Sequence, residues 1–369
     1  MRYTHAMKNQ DLLDLYIDYL ISAFGQTTGT GLAELLGGSV SHDRIQRLLS
    51  KQQFGSAAFW AIVKPYVRQI QTDDGVMIID DSIAEKPYTD ENAIICWHYD
   101  HSQDRSVKGI NFVTCLYHAQ GYSLPVGVSL VAKTGFYSDK KNGKQKRRSP
   151  ISKNDYYREL LTAAKHNQIP LRYVLSDVWY SAAENMRFIK QDLGKDFIMP
   201  LKANRKVALT PQAKRNGQWI RIDQLTLEAN TVTEIYLESV DFPLVLVKHV
   251  FANEDGSTGI QYLVSSDMTL SADAMTIIYR KRTKSPEVWN VEPYHKSLKQ
   301  NASLEKSPTQ TVTTQTNHLF ASLWAYIKLE WLRKATHLNH FALKSKLYVT
   351  ALHSACAALR QLQPIRLPA

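Results

Sequence analysis

The chain has 369 residues, with 45 Lys and Arg against 34 Asp and Glu, a formal net charge of +11 and a sequence pI near 9.3. That length accommodates two or three domains and a substantial core, and the basic excess points to a polyanionic partner, nucleic acid first. Cys96, Cys115 and Cys356 lack CxxC spacing and no apolar run approaches about 18 residues, which argues against a thiolate zinc site, a disulfide framework and a membrane span; without a signal-peptide pattern, the expectation is a reducing cytoplasm.

Residues 11–24 place Leu12, Leu13, Leu15, Tyr16, Tyr19, Leu20 and Ile21 at helical spacing, so an amphipathic helix opens the chain. A second helix over 32–36, a glycine turn at Gly37-Gly38 and a third helix entered through Ser41 outline a helix-turn-helix. Its second helix offers Arg44, Gln46, Arg47 and Lys51 to phosphates and base edges. A further helix is expected over 54–70.

From residue 76 the pattern changes to strands alternating with helices. Val76 to Ile79 is an apolar run ending in Asp80, Asp81 and Ser82, the pattern of a strand buried on both faces with charge at its tip. Burying such acids is costly unless a cation or hydrogen bonds compensate; a turn or helix cap is the ordinary alternative. Strands over 107–118 and 122–132 flank the hairpin signal Ala119-Gln120-Gly121. In the stretch 140–148, six of nine positions are Lys or Arg, a solvated loop or a phosphate-contacting one. A helix capped by Asn154 is expected over 154–166. The next strand, 172–177, again ends in an acid, Asp177. In an open α/β sheet ligands bind beyond the carboxyl ends of the strands, so Asp80 and Asp177 meet there if their strands are neighbours.

A strand over 197–201 is followed by Lys202, Arg205 and Lys206. Short alternating runs at 219–225, 233–238, 244–251 and 260–265 then form a β-rich insertion, with a turn at Asn253-Glu254-Asp255-Gly256. Helical pattern returns over 272–282 and again over 289–301. On the latter, Trp289, Glu292, His295, Lys296 and Lys299 recur at intervals of three and four and share one side, with Pro293 placing the helix start near Glu292. Two long amphipathic helices, 316–335 and 343–362, are expected to pack on the core.

This order of strands, acids and insertion resembles the RNase H-like catalytic core of DDE transposases from bacterial insertion sequences, in the group with a β-strand insertion before the glutamate. The likeness covers about 76–302. Asp80, with Asp81 as its rival, matches the first acid, Asp177 the second and Glu292 the third, with Lys299 six residues further on. The group carries a Tyr-two-Arg-three-Glu-six-Lys signature. Tyr279 and Arg282 have the first spacing and Glu292 and Lys299 the last, but nine residues separate Arg282 from Glu292.

The resemblance implies an α/β architecture: an RNase H-like mixed sheet flanked by helices (73–302) interrupted by the β insertion (205–271), an N-terminal all-helical DNA-binding domain (1–72) and a C-terminal helical region (303–369). It implies a nucleoid-associated cut-and-paste transposase in which Asp80, Asp177 and Glu292 hold Mg²⁺ or Mn²⁺, two ions about 3.5–4 Å apart, for end cleavage and strand transfer on double-stranded DNA. Arg44, Arg47, Lys202, Arg205, Tyr279, Arg282, Trp289, His295, Lys296 and Lys299 would contact that DNA, with Trp289 or Trp219 holding an extruded base. Pairing two ends implies a homodimer or larger assembly. A DNA-binding regulator on the same fold and a host metal-dependent nuclease are the alternatives.

Overall fold

The computed structural model describes residues 9–101, 103–140, 143–252, 256–282 and 291–362. Two compact units divide the chain, Met1–Gly55 with His295–Ala369, and Ser56–Tyr294.

In the first unit, α1 (Asn9–Ser22) buries Leu12, Leu13, Tyr16, Ile17, Leu20 and Ile21. The expected pair follows as α2 (Gly29–Leu35) and α3 (His42–Lys51), joined through Gly37 and Gly38 at φ 60° and 72°, a left-handed conformation that glycine adopts without steric cost. Ser41 occupies the N-cap of α3, although its side chain makes no capping hydrogen bond.

The second unit opens with α4 (Ser56–Ile70), which buries Phe59, Val63, Val67 and Ile70. Then come β1 (Val76–Glu85), β2 (Ile95–Asp100), β3 (Arg105–Ala119), β4 (Tyr122–Leu130), a separate hairpin of β5 (Gly135–Ser138) and β6 (Gln145–Arg148), α5 (Lys153–His166), β7 (Tyr173–Ser176), α6 (Ala183–Arg187), β8 (Asp196–Leu201), β9 (Lys206–Ala208), α7 (Pro211–Arg215), β10 (Ile220–Arg221), β11 (Val232–Leu237), β12 (Leu244–Ala252), β13 (Thr258–Ser265) and α8 (Ala272–Arg280). Helix α9 (Val291–Gln300) begins in this unit. Helices α10 (Val312–Thr336) and α11 (His340–Leu362) belong to the first.

The sheet runs β10-β9-β11-β12-β13-β8-β7-β1-β3-β2, with β4 also on β3. At its centre β4, β3 and β1 are antiparallel, and β7 and β8 are parallel to β1 and to each other. The β insertion continues this sheet, because β13 pairs with β8 and passes the ladder on to β12 and β11. Val76, Met77, Ile78 and Ile79 are fully buried, each contributing about 1.5–3 kcal/mol. Gln120 and Gly121 both have positive φ, 52° and 77°, as a two-residue turn matching strand twist requires.

Several expectations change. Helix α4 packs on β4 in the second unit rather than with the N-terminal helices. The C-terminal helix α10 packs with α1 and α3, so chain ends far apart in sequence build one unit. There Asn317 donates to the carbonyls of Leu49 and Gln52, both at 2.7 Å, and accepts from the Phe54 amide at 2.9 Å. From Ser345 onward the described side chains of α11 are exposed rather than packed on a core. Helix α5 is capped by Ser152, not Asn154, through a reciprocal bond with Asp155 that the Ser-x-x-Asp spacing allows. Strand β2 has no counterpart in the sequence expectations, and part of the basic stretch is strand β6. Trp289 and the residues 253–255 of the expected turn lie outside the described residues.

Candidate active site

Ile79 on β1 is in register with Ser176 on β7, so Asp80 and Asp177 are the next residues on adjacent parallel strands; Asp177 follows the end of β7, but Asp80 is not the expected strand tip, because β1 runs on past it to Glu85, paired with β3. The pleat turns Asp80 and Asp81 to opposite faces. Asp80 shares its face with its cross-strand partner Thr114. Asp81 lies on the other, where one Oδ accepts from the Tyr180 hydroxyl at 2.9 Å and the other from Lys153 Nζ at 2.7 Å and the Asn111 amide at 3.2 Å.

Arg282 closes the Asp80 side. Its Nη2 donates to Asp80 Oδ2 at 3.2 Å and lies 3.8 Å from Asp177 Oδ2. One turn earlier the Tyr279 hydroxyl donates to the Ser176 carbonyl at 3.3 Å, which fixes the end of α8 to the end of β7. Asp177 accepts from the Val178 amide at 2.6 Å and caps a 3₁₀ turn, Val178–Tyr180.

Burial pushes the Asp80 carboxyl up to about 6; Arg282 opposes the rise while Asp81 and Asp177 add to it. Burial acts on Asp81 in the same sense, but Lys153 and the bonds from Tyr180 and Asn111 outweigh it and hold that carboxyl below the usual range. Burial works against the Arg282 cation, and Asp80 more than compensates. The two adjacent aspartates thus occupy different environments, one balanced by an arginine, the other saturated by hydrogen bonds.

Glu292 is exposed in the first turn of α9. Two residues on, Tyr294 is fully buried with its phenol toward Thr114, the register partner of Asp80, so the start of this helix lies over the Asp80 face. Among the described residues no three acidic, His or Cys side chains come together as a metal site: Asp80 and Asp177 converge, and Glu292 does not join them. The oxygen-only pair fits a hard divalent cation, since a positive group already stands between the two carboxylates.

The other expected contact residues are spread out. Arg47 is exposed on α3 and Arg44 half-buried. Lys202 Nζ sits 5.8 Å from the Trp179 ring centroid, and Arg205 donates to the Ser181 carbonyl at 3.3 Å. Lys296 lies over Phe341 and Lys299 pairs with Glu305 at 3.3 Å, while His295 is half-buried. Trp219 is half-buried just before β10. Sequence reasoning missed Tyr180, Lys153 and Trp179; the aromatic pair two and three residues past Asp177 was the available signal.

The central strand order β4-β3-β1-β7-β8, with acids where β1 and β7 meet, defines an RNase H-like fold. The family model described as DDE superfamily endonuclease matches residues 3–237, and one described as Transposase DDE domain matches 151–328. The chain belongs to the DDE superfamily. No curated protein matches it. Among solved structures it is similar to the Drosophila P element transposase strand transfer complex, at 11% identity and TM-score 0.27 over 52% of this chain and 37% of that one. Kluyveromyces polysporus Argonaute with a guide RNA is similar at 10% identity and TM-score 0.28, over 87% and 41%. The mariner Mos1 paired end complex with Mg is similar at 13% identity and TM-score 0.16, over 51% and 56%. The chain thus spans 37% to 56% of the lengths of these three chains.

No helix among the described residues is long and apolar enough to cross a membrane.

Proposed function

We propose that this chain is a transposase of cut-and-paste type, cleaving the ends of an insertion sequence and joining them to target DNA by metal-dependent phosphoryl transfer. The observation that carries the reading is the convergence of Asp80 and Asp177 on one guanidinium where the parallel pairing of β1 and β7 ends. Asp80 and Asp177 would hold Mg²⁺ or Mn²⁺, and Glu292, which stands apart from the pair here, would have to join them as the third carboxylate, from a helix whose Tyr294 packs toward Thr114. Two such ions supply activation of an attacking oxygen and stabilisation of a leaving one.

The protein's own residues position the reaction. Asp80 offers carboxylate oxygens from a strand that cannot shift without breaking a buried ladder. Arg282 balances the acids before DNA arrives and is then close enough to meet a phosphate. No protein nucleophile is needed, since positioning and electrostatics carry this chemistry. The helix-turn-helix, through Arg44 and Arg47, reads the terminal repeats, and Lys202, Arg205, Lys296 and Lys299 add phosphate contacts on double-stranded DNA. Two ends are paired by a homodimer or larger assembly.

The test is cleavage of the DNA flanking the gene, with its inverted repeats, by the full chain with Mg²⁺ or Mn²⁺. Asp177→Asn and Glu292→Gln should bind ends nearly as the wild type does and cut none of them. Cutting retained by either variant would remove that residue from the site, and a wild-type chain that binds ends without cutting under both metals would leave a regulator.

A further inference from the structure

A carboxylate sealed inside a protein is costly unless its partners are close and well aimed. Glu330 on α10 is fully buried, and so are Ser297 on α9 and His340 at the start of α11. Their side chains are joined. His340 Nδ1 lies 2.8 Å from Ser297 Oγ, and its Nε2 lies 3.0 Å from Glu330 Oε2. Arg333, three residues beyond Glu330, donates to both oxygens of that carboxylate at 2.9 and 2.7 Å, and Asn301 Nδ2 donates to Ser297 Oγ at 3.1 Å. The Tyr326 ring stands edge-on to the imidazole, with centroids 5.1 Å apart.

Burial works against the Glu330 charge, but His340 and Arg333 outweigh it and hold this carboxyl below its usual range. The carboxylate keeps the imidazole proton on Nε2, so Nδ1 accepts from the Ser297 hydroxyl, which in turn accepts from Asn301. Donors thus run one way, from α9 through α11 to α10. A serine, an imidazole and a carboxylate in series suggest a hydrolytic nucleophile, yet all three are closed to water and to any substrate. What they can fix is a helix. Apolar packing tolerates small rotations, whereas a buried polar string is directional and suits the setting of one register.

Ser297 lies on the buried face of α9 with Tyr294, Leu298 and Asn301, and the other face carries Glu292 and Lys296, both exposed. Ser297 follows Glu292 by about 7.5 Å of rise on one continuous helix. A side chain reaches about 6 Å from the helix axis, so a rotation of roughly 20° would carry the Glu292 carboxylate about 2 Å, the length of a bond to Mg²⁺. We propose that Ser297, His340 and Glu330 are positioning residues that set the rotation of α9 and thereby the direction from which Glu292 joins the cation site. The inference rests on the reading of Glu292 as the third carboxylate.

The test is Mn²⁺ binding to the full chain on a pre-cleaved DNA end, with free Mn²⁺ read by electron paramagnetic resonance, beside binding of the same end without metal. Ser297→Ala should keep its affinity for the end and lose about tenfold in affinity for Mn²⁺, the usual cost of removing a group that orients a metal ligand. Unchanged end binding certifies the fold of that variant. Glu292→Gln should also weaken Mn²⁺ binding, and adding Ser297→Ala to it should cost no more, because both changes act through one carboxylate. Wild-type Mn²⁺ affinity in Ser297→Ala, a matching loss of end binding, or an equal further loss in the Glu292→Gln background overturns the positioning role. The third-carboxylate reading is judged separately: a Glu292→Gln variant that still cuts with Mg²⁺ fails that reading, whatever Ser297→Ala shows.

Discussion

The Tyr180 hydroxyl, three residues past Asp177, donates to an Asp81 carboxylate oxygen at 2.9 Å, so the turn after one acid is tied to the strand that carries the other. The tie lies on the opposite face of the sheet from Asp80, where Lys153 from α5 holds the same carboxylate at 2.7 Å. Asp81 thereby braces the acid pair from behind. Removing only the hydroxyl, in Tyr180→Phe, should leave DNA binding intact and lower the cleavage rate about tenfold through misplacement of Asp177. Asp81→Asn should do the same and also lower the melting temperature, because Lys153 loses its counter-charge. Cleavage rates in the two variants equal to wild type would show that the brace has no part in positioning.

Arg282 is 11% exposed, with its one close nitrogen shared between two carboxylates. Arg282→Ala would leave Asp80 buried beside Asp177 with no cation, a loss on the order of 3 kcal/mol of stability at neutral pH in the absence of metal. Adding Mn²⁺ should restore much of that loss in the variant and change the wild type less. Thermal melts with and without Mn²⁺ measure both effects. A variant as stable as wild type in chelator would show that the guanidinium does not balance the acids.

His98 on β2 is nearly buried, and its Nε2 lies without a hydrogen-bond partner among the described residues. Burial, with Lys133 and Lys153 adding to it and Asp81 opposing, lowers its pKa from the ordinary 6.5 to about 3. The folded protein therefore keeps this imidazole neutral while the unfolded chain takes up a proton below pH 6.5. Stability from this group is complete above that pH and is lost as pH falls, by at most about 2 kcal/mol at pH 5. His98→Gln should show a shallower loss between pH 7 and pH 5 in urea titrations. Parallel pH curves for variant and wild type would remove His98 as a source of acid lability.

Much of the site was readable in the sequence because its signals are local. An apolar run stopping at an acid marks Asp80 and Asp177, since burying a carboxylate is costly unless partners compensate; the expected strand tip holds for Asp177, whereas Asp80 stands midway along β1, compensated by Arg282. Gln120-Gly121 announced its turn through backbone preference, and Gly37-Gly38 the turn between α2 and α3. The cap of α5 was misplaced because Ser152 and Asn154 are both good caps, and the reciprocal bond with Asp155 settles the matter in favour of serine.

What the sequence by itself determined is which acids follow buried apolar runs, the alternation of strands and helices, and a basic chain suited to nucleic acid. Which aspartate faces the second acid was decided by tertiary structure, because adjacent strand residues point to opposite faces and the register with β3 and β7 assigns those faces. The same holds for Arg282 between the acids and for Asn317 joining α10 to the end of α3. Each depends on elements dozens to hundreds of residues apart, and contacts at such separation leave no periodic trace in the chain.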